Sequence, residues 1–138
     1  MSARFPLAKV KKLIEEDLDN PEKERVIFSA KSRSIDAVIR VHRGLKGRRM
    51  TTEQAANFIK YRILELTDQN FQKSKIGQWG DSTFVVDQYG MIHEGVPYFI
   101  KFNIDEESDQ LNEISFHPME RDMVLASGDV IKASGEKS

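Results

Sequence analysis

The sequence predicts an α+β fold, with N-terminal helices packed on one face of a single antiparallel β-sheet. Two observations predict it. Apolar residues recur at helical spacing as far as Leu66, and from Thr83 onward runs of β-formers alternate with short polar loops. Helices first and strands afterwards is the order of an α+β protein. The chain has 138 residues, one domain's worth. Residues 1–132 are expected to form that domain, and the small, polar residues 133–138 a disordered tail.

The elements follow in order. Pro6 suits the first turn of a helix, where its missing N–H costs nothing. Leu7, Val10, Leu13, Ile14 and Leu18 then make an apolar stripe that ends at Asn20-Pro21. Val26-Ile27-Phe28 is a short apolar piece whose type the pattern leaves open. Ser34 is placed to cap a second helix with Ile35, Val38, Ile39 and His42 on one face, stopped by Gly44 and Gly47. Thr51-x-x-Gln54 reads as a capping box for a third helix, with Ala55, Phe58, Ile59, Ile63 and Leu66 on one side. Thr67–Asn70 is turn chemistry, and Lys75–Asp81, with Gly77 and Gly80, reads as a loop. Strands are predicted over residues 83–92, 97–104 and 111–116, with a further hairpin within 123–131. Short polar loops between them imply an antiparallel meander.

Composition excludes several chemistries. There are no cysteines, which removes disulfides, thiolate metal ligands, iron–sulfur clusters and thiol catalysis together. A cysteine-free chain with no apolar stretch of membrane-spanning length and no signal-peptide core is expected to be cytoplasmic, with no membrane partner. The net charge of −1 hides an asymmetry. Residues 1–50 hold 13 Lys/Arg against 7 Asp/Glu, a net of +6; residues 51–138 hold 8 against 15, a net of −7. The densest basic run is Arg40, Arg43, Lys46, Arg48 and Arg49, spaced by glycines. Such flexible, Gly-spaced cations are candidates for holding RNA phosphates. Asp105, Glu106, Glu107 and Asp109 form an acidic loop.

His42, His93 and His117 have no i+3 or i+4 histidine partner, so no metal site is expected, and no cofactor. Walker A, GxGxxG and GxSxG loops are absent. The remaining candidates are Lys73, Tyr98 and His117. A histidine at a strand end suits proton transfer, because an imidazole titrates near neutrality.

The order of these residues resembles a known family. Leu66-Thr67-Asp68-Gln69-Asn70-Phe71-Gln72-Lys73-Ser74 is similar to the helix exit of the motility quorum-sensing regulator (MqsR-type) toxins: leucine, polar turn, then Phe-x-Lys-Ser. Asp81-Ser82-Thr83 and Asp87-x-Tyr89 resemble the family's first long strand, Gly95-x-x-Tyr98 its turn-then-tyrosine, and Ile114-Ser115-Phe116-His117 its last strand. Val10-Lys11-Lys12-Leu13 resembles its opening helix. The likeness covers about residues 66–117 and part of 6–18, and does not reach 22–50 or 118–138.

The resemblance implies a RelE-like (BECR) fold and a metal-independent endoribonuclease toxin of a type II toxin–antitoxin system. RNA, a cognate antitoxin and, for members that act during translation, the ribosome are the implied partners. Carried over by position, Lys73, Tyr98 and His117 are the implied catalytic residues. The family places lysine at the position of His117, and a functional glutamine where this chain has Val86; Gln88 is the nearest polar residue on the same strand face. On this reading the 2′-OH of RNA attacks the adjacent phosphate and leaves a 2′,3′-cyclic phosphate. His117 moves a proton. Lys73, with Arg121, neutralises the phosphorane, and Tyr98 holds a phosphate oxygen or donates a proton. Trp79 is a candidate for stacking on a base. Two alternatives remain open: a non-catalytic RNA- or protein-binding module on the same scaffold, and an immunity or antitoxin-like protein whose acidic half covers a basic partner.

Overall fold

The computed structural model describes residues 3–28, 33–42 and 47–134. Helix α1 spans Leu7–Asp19, with Pro6 just before it, and ends at Asn20, whose side chain accepts from the Glu22 amide as a 3₁₀ turn begins. Strand β1 is Val26–Phe28. Helix α2 is Ser34–Val41 and helix α3 Thr52–Leu64, the latter opened by both halves of the Thr51/Gln54 capping box. Strands β2 (Phe71–Trp79), β3 (Ser82–His93), β4 (Val96–Asp105) and β5 (Gln110–Pro118) follow, and two short strands, β6 (Met123–Val124) and β7 (Val130–Ile131), close the described chain. This is the expected α+β architecture.

The main sheet has the order β1-β5-β4-β3-β2, antiparallel except for β1, which runs parallel to β5 at the edge. Glu94 and Gly95 both have positive φ and make the two-residue turn between β3 and β4, the backbone that matches strand twist. Residues Lys75–Asp81 depart from the predicted loop: β2 runs through to Trp79 and only Gly80-Asp81 turns. Gly77 is not a breaker there. A Cβ on it would meet the ring of its cross-strand partner Phe84 at 2.7 Å, so glycine admits the ring.

One face of the sheet carries Tyr89, Met91, Tyr98, Ile100, Phe102, Leu111 and Phe116. The helices cover it with Val10, Leu13 and Ile14 from α1, Val38 and Ile39 from α2, and Ala55, Ile59 and Ile63 from α3. Each large apolar side chain buried there stabilises the fold by about 1.5–3 kcal/mol. Polar pins fix the helices. Ser34 does not cap α2, as its position suggested; it is the first helical residue, and its hydroxyl donates to Glu113 (2.8 Å) and accepts from the Phe116 amide (2.9 Å), tying α2 to β5. Buried Asp17 on α1 accepts from Lys60 of α3 (2.6 Å) and from the Val26 amide (3.0 Å). Buried Asp87 takes the amides of Arg4 and Phe5 (3.0 and 2.9 Å) and the Ser74 hydroxyl, fastening the N-terminal arm to β3.

The other face is half covered. Residues 119–133 fold over one end of it as a cap containing the β6–β7 hairpin. Met119, Met123, Leu125 and Ile131 form a second small core there against Ile92 and Phe99. Gly90 of β3 makes room for this cap: a Cβ on it would sit 2.5 Å from the Met123 sulfur and 2.8 Å from the Met119 methyl. Backbone bonds lace the cap to the sheet at both sides, from the Met119 amide to Pro97 and from the Ala126 amide to Phe71.

Candidate functional site

The uncapped part of this outer face is a groove of about 350 Å³. Strand alternation builds its floor. Residues that pair across antiparallel strands point to the same side, and the register puts Lys73, Gln88, Lys101 and Ser115 in one row across β2, β3, β4 and β5. Phe99 lies opposite His117 in the next row. Bulges between Phe71 and Lys73, and beside the Lys101/Phe102 pairing, reset the register on β2 and β5. Gln72 and Lys75 line one side, and Met119, Glu120, Arg121, Asp122 and Met123 of the cap make the wall.

Four sequence-predicted residues therefore meet in one place: Lys73, Gln88, His117 and Arg121. Lys73 and Arg121 are exposed, His117 half-buried, and Gln88 buried. Val86, at the position of the family's glutamine, is buried and lines no part of the groove.

The His117 ring lies nearly parallel to Phe99, with centroids 5.3 Å apart and planes 21° from coplanar. Its Nδ1–H donates to the Pro118 carbonyl oxygen at 2.8 Å. A carbonyl can only accept, so in the neutral ring Nδ1 holds the proton and Nε2 the lone pair. That is the tautomer a general base needs.

Tyr98 is a correction. One residue before Phe99, it points to the opposite face, where it is fully buried in the helix-covered core. Its ring stacks on Phe116 at 4.6 Å, and its hydroxyl is bonded to His42 Nε2. Burial pushes its proton affinity up. It cannot reach a ligand lying on Lys73 and His117, because the sheet stands between. His42 is held in turn by Phe58 (4.5 Å), and burial foremost, then neighbouring His93, lowers its pKa.

The basic run does not join the groove. Arg40 is exposed on α2, Arg48 and Arg49 are exposed ahead of α3, and none of the three lines the groove. Arg43 and Lys46 lie outside the described residues, as does the side chain of Trp79.

The groove also holds two lysines that sequence reasoning missed, Lys75 and Lys101. Their signal was period 2: Lys73 and Lys75 alternate along β2, and Lys101 and Asn103 are the polar alternates of β4. Lys101 is half-buried, and burial first, then nearby Lys75, lowers its pKa. Some cations elsewhere are paired: Arg4 with Glu106, Lys9 with Asp109, Arg25 with Glu16, Lys60 with Asp17 and Arg62 with Glu65. Among the described residues, no carboxylate lies in ion-pair range of Lys73, Lys75, Lys101 or Arg121. Unpaired cations converging beside a partly buried amine favour an anionic ligand, which would repay their desolvation.

No three His, Asp or Glu side chains among the described residues are placed to hold a metal ion, and none of the described helices is long and apolar enough to cross a membrane. No protein-family model, curated protein or solved structure significantly matches the chain.

Proposed function

We propose that this groove binds an RNA phosphodiester and cuts it, as an endoribonuclease of the toxin type that the sequence resembles. One observation carries the reading. Residues 73, 88, 117 and 121, singled out separately along the sequence, line one groove with two further lysines and no ion-paired carboxylate. Its side chains supply a base and charge stabilisation for cleavage through the 2′-OH without recourse to a metal: an imidazole, and cations around the phosphorane oxygens. On this reading His117 Nε2 takes the 2′-OH proton, Lys73 and Arg121 bear the phosphate charge, and Gln88 offers an amide to a phosphate or base. A cognate antitoxin is the partner expected to silence it.

The test is incubation of the purified chain with RNA in EDTA, and in a translation extract, followed by end-group analysis. Cleavage to 2′,3′-cyclic phosphate and 5′-OH ends is expected, lost in His117→Ala and reduced in Lys73→Ala. No cleavage in either setting, or cleavage that both substitutions leave untouched, overturns the reading. The displacement of Tyr98 to the far face favours a second reading, a non-catalytic RNA-binding groove. RNA binding without cleavage in both settings would select it.

A further inference from the structure

We propose that Lys101 is the acid of this groove, protonating the leaving 5′-oxygen while His117 takes the proton of the 2′-hydroxyl. The assignment rests on the endoribonuclease reading and names the group which that reading lacks. With Tyr98 on the opposite face, the chain's tyrosine candidate for a proton donor is gone. The groove's other residues do not replace it. Arg121 has a guanidinium that does not give up its proton, Gln88 has no proton to give, and Glu120 and Asp122 are exposed carboxylates. Lys73 and Lys75 are exposed amines on the outermost strand.

Lys101 differs from them in place and surroundings. It stands on β4, the middle strand, directly opposite Gln88 on one side and Ser115 on the other. His117 is its diagonal neighbour across the β4–β5 pair, on the same face. Diagonal residues in an antiparallel pair are roughly 7 Å apart, room for a phosphate between base and acid. The amine is half-buried with no carboxylate in ion-pair range among the described residues. Burial and nearby Lys75 lower its hold on the proton, in the direction an acid needs.

The step balances. His117 Nε2 removes the 2′-OH proton as O2′ forms its bond to phosphorus. The P–O5′ bond breaks, and the Lys101 ammonium gives its proton to O5′. The products are a 2′,3′-cyclic phosphate and a 5′-hydroxyl. The imidazolium and the neutral amine are reset by exchange with water.

The experiment compares the full chain with Lys101→Arg, Lys101→Met and His117→Ala on two substrates. One is an ordinary RNA oligonucleotide. The other has sulfur in place of the 5′-oxygen, a leaving group that needs no proton. Lys101→Arg keeps the charge but not the acid. It is expected to bind a 2′-O-methyl oligonucleotide within about 3-fold of the unsubstituted chain, yet cut ordinary RNA about 10²-fold more slowly. Both Lys101 variants are expected to cut the sulfur substrate at nearly the unsubstituted rate, whereas His117→Ala stays slow on both. Equal losses on both substrates, or no loss on either, overturn the role of Lys101 and leave the endoribonuclease reading standing. If the unsubstituted chain cuts neither substrate, alone or in a translation extract, that reading falls and the acid assignment with it.

Discussion

Salt dependence separates the groove from the basic run as the RNA-contacting surface. Four groove cations face no carboxylate in ion-pair range among the described residues: Lys73, Lys75, Lys101 and Arg121. If each neutralises one phosphate of a single strand, the logarithm of affinity should fall with the logarithm of salt with a slope of about −2.8, at about 0.7 per contact. Between 50 and 200 mM salt that amounts to a loss of about 50-fold. Replacing Lys75 and Arg121 together by glutamine halves the slope, so the same salt step should cost about 7-fold. Neither residue is placed at the proton-transfer step, and both are exposed, so the fold should stand. Fluorescence anisotropy with a labelled 2′-O-methyl oligonucleotide, which cannot be cut, reads the slope directly. The comparison variant replaces Arg48 and Arg49 by glutamine and should leave the slope as it was. An unchanged slope in the groove variant, or a drop confined to the Arg48/Arg49 variant, would refute the placement of RNA in the groove.

Three other outcomes follow from the packing. Tyr98→Phe should leave RNA cleavage within about 2-fold and cost about 1 kcal/mol in urea unfolding, because the hydroxyl bonds His42 in the core rather than substrate; a large loss of rate would restore Tyr98 to the site. Asp17→Ala removes the carboxylate that holds Lys60 and the Val26 amide, and is expected to cost about 3 kcal/mol, less than 1 kcal/mol in urea titration being the contrary result. His42 faces His93, Arg62, Glu94 and Tyr98, and its folded-state pKa lies below 6.5, lowered by burial foremost. Its contribution is therefore complete above the unfolded value of about 6.5 and is lost as pH falls from there through the lower folded-state pKa; the urea midpoint should drop between pH 7 and 5 and drop less in His42→Gln, and equal pH dependence of the two proteins would count against the argument.

Much of the fold was legible because the helices bury one stripe each. Ala55, Ile59 and Ile63 are spaced as a helix requires, and the Thr51/Gln54 box marks where it begins. The faces of β4 were harder to read. Tyr98, Phe99 and Ile100 are all apolar, since the helices cover one side and the cap covers part of the other. A strand buried on both faces loses the alternation that would tell its sides apart. Further along the same strand, Lys101 and Asn103 alternate with Phe102 and Ile104 and mark the outer face; counting back from them puts Phe99, not Tyr98, beside His117. Likewise Gly77 resembled a loop residue, and only its partner Phe84 shows why it is there. Gln88 and Arg121 were legible by type, but their meeting depends on a register and on a cap that no local pattern records.

The cap carries a consequence for the order in which the site is assembled during synthesis. The floor of the groove comes from residues 73–117, but its wall comes from Met119 to Met123 and is held down by a hairpin that closes only at Ile131. Those residues leave the ribosome after the strands on which they fold. A nascent chain that has paired its sheet but not released the cap presents Lys73, Lys101 and His117 on an open surface, with no Arg121 facing them and the sheet's side of the second small core exposed around Gly90. If the groove cuts RNA, it becomes complete only when the last-made part of the described chain docks.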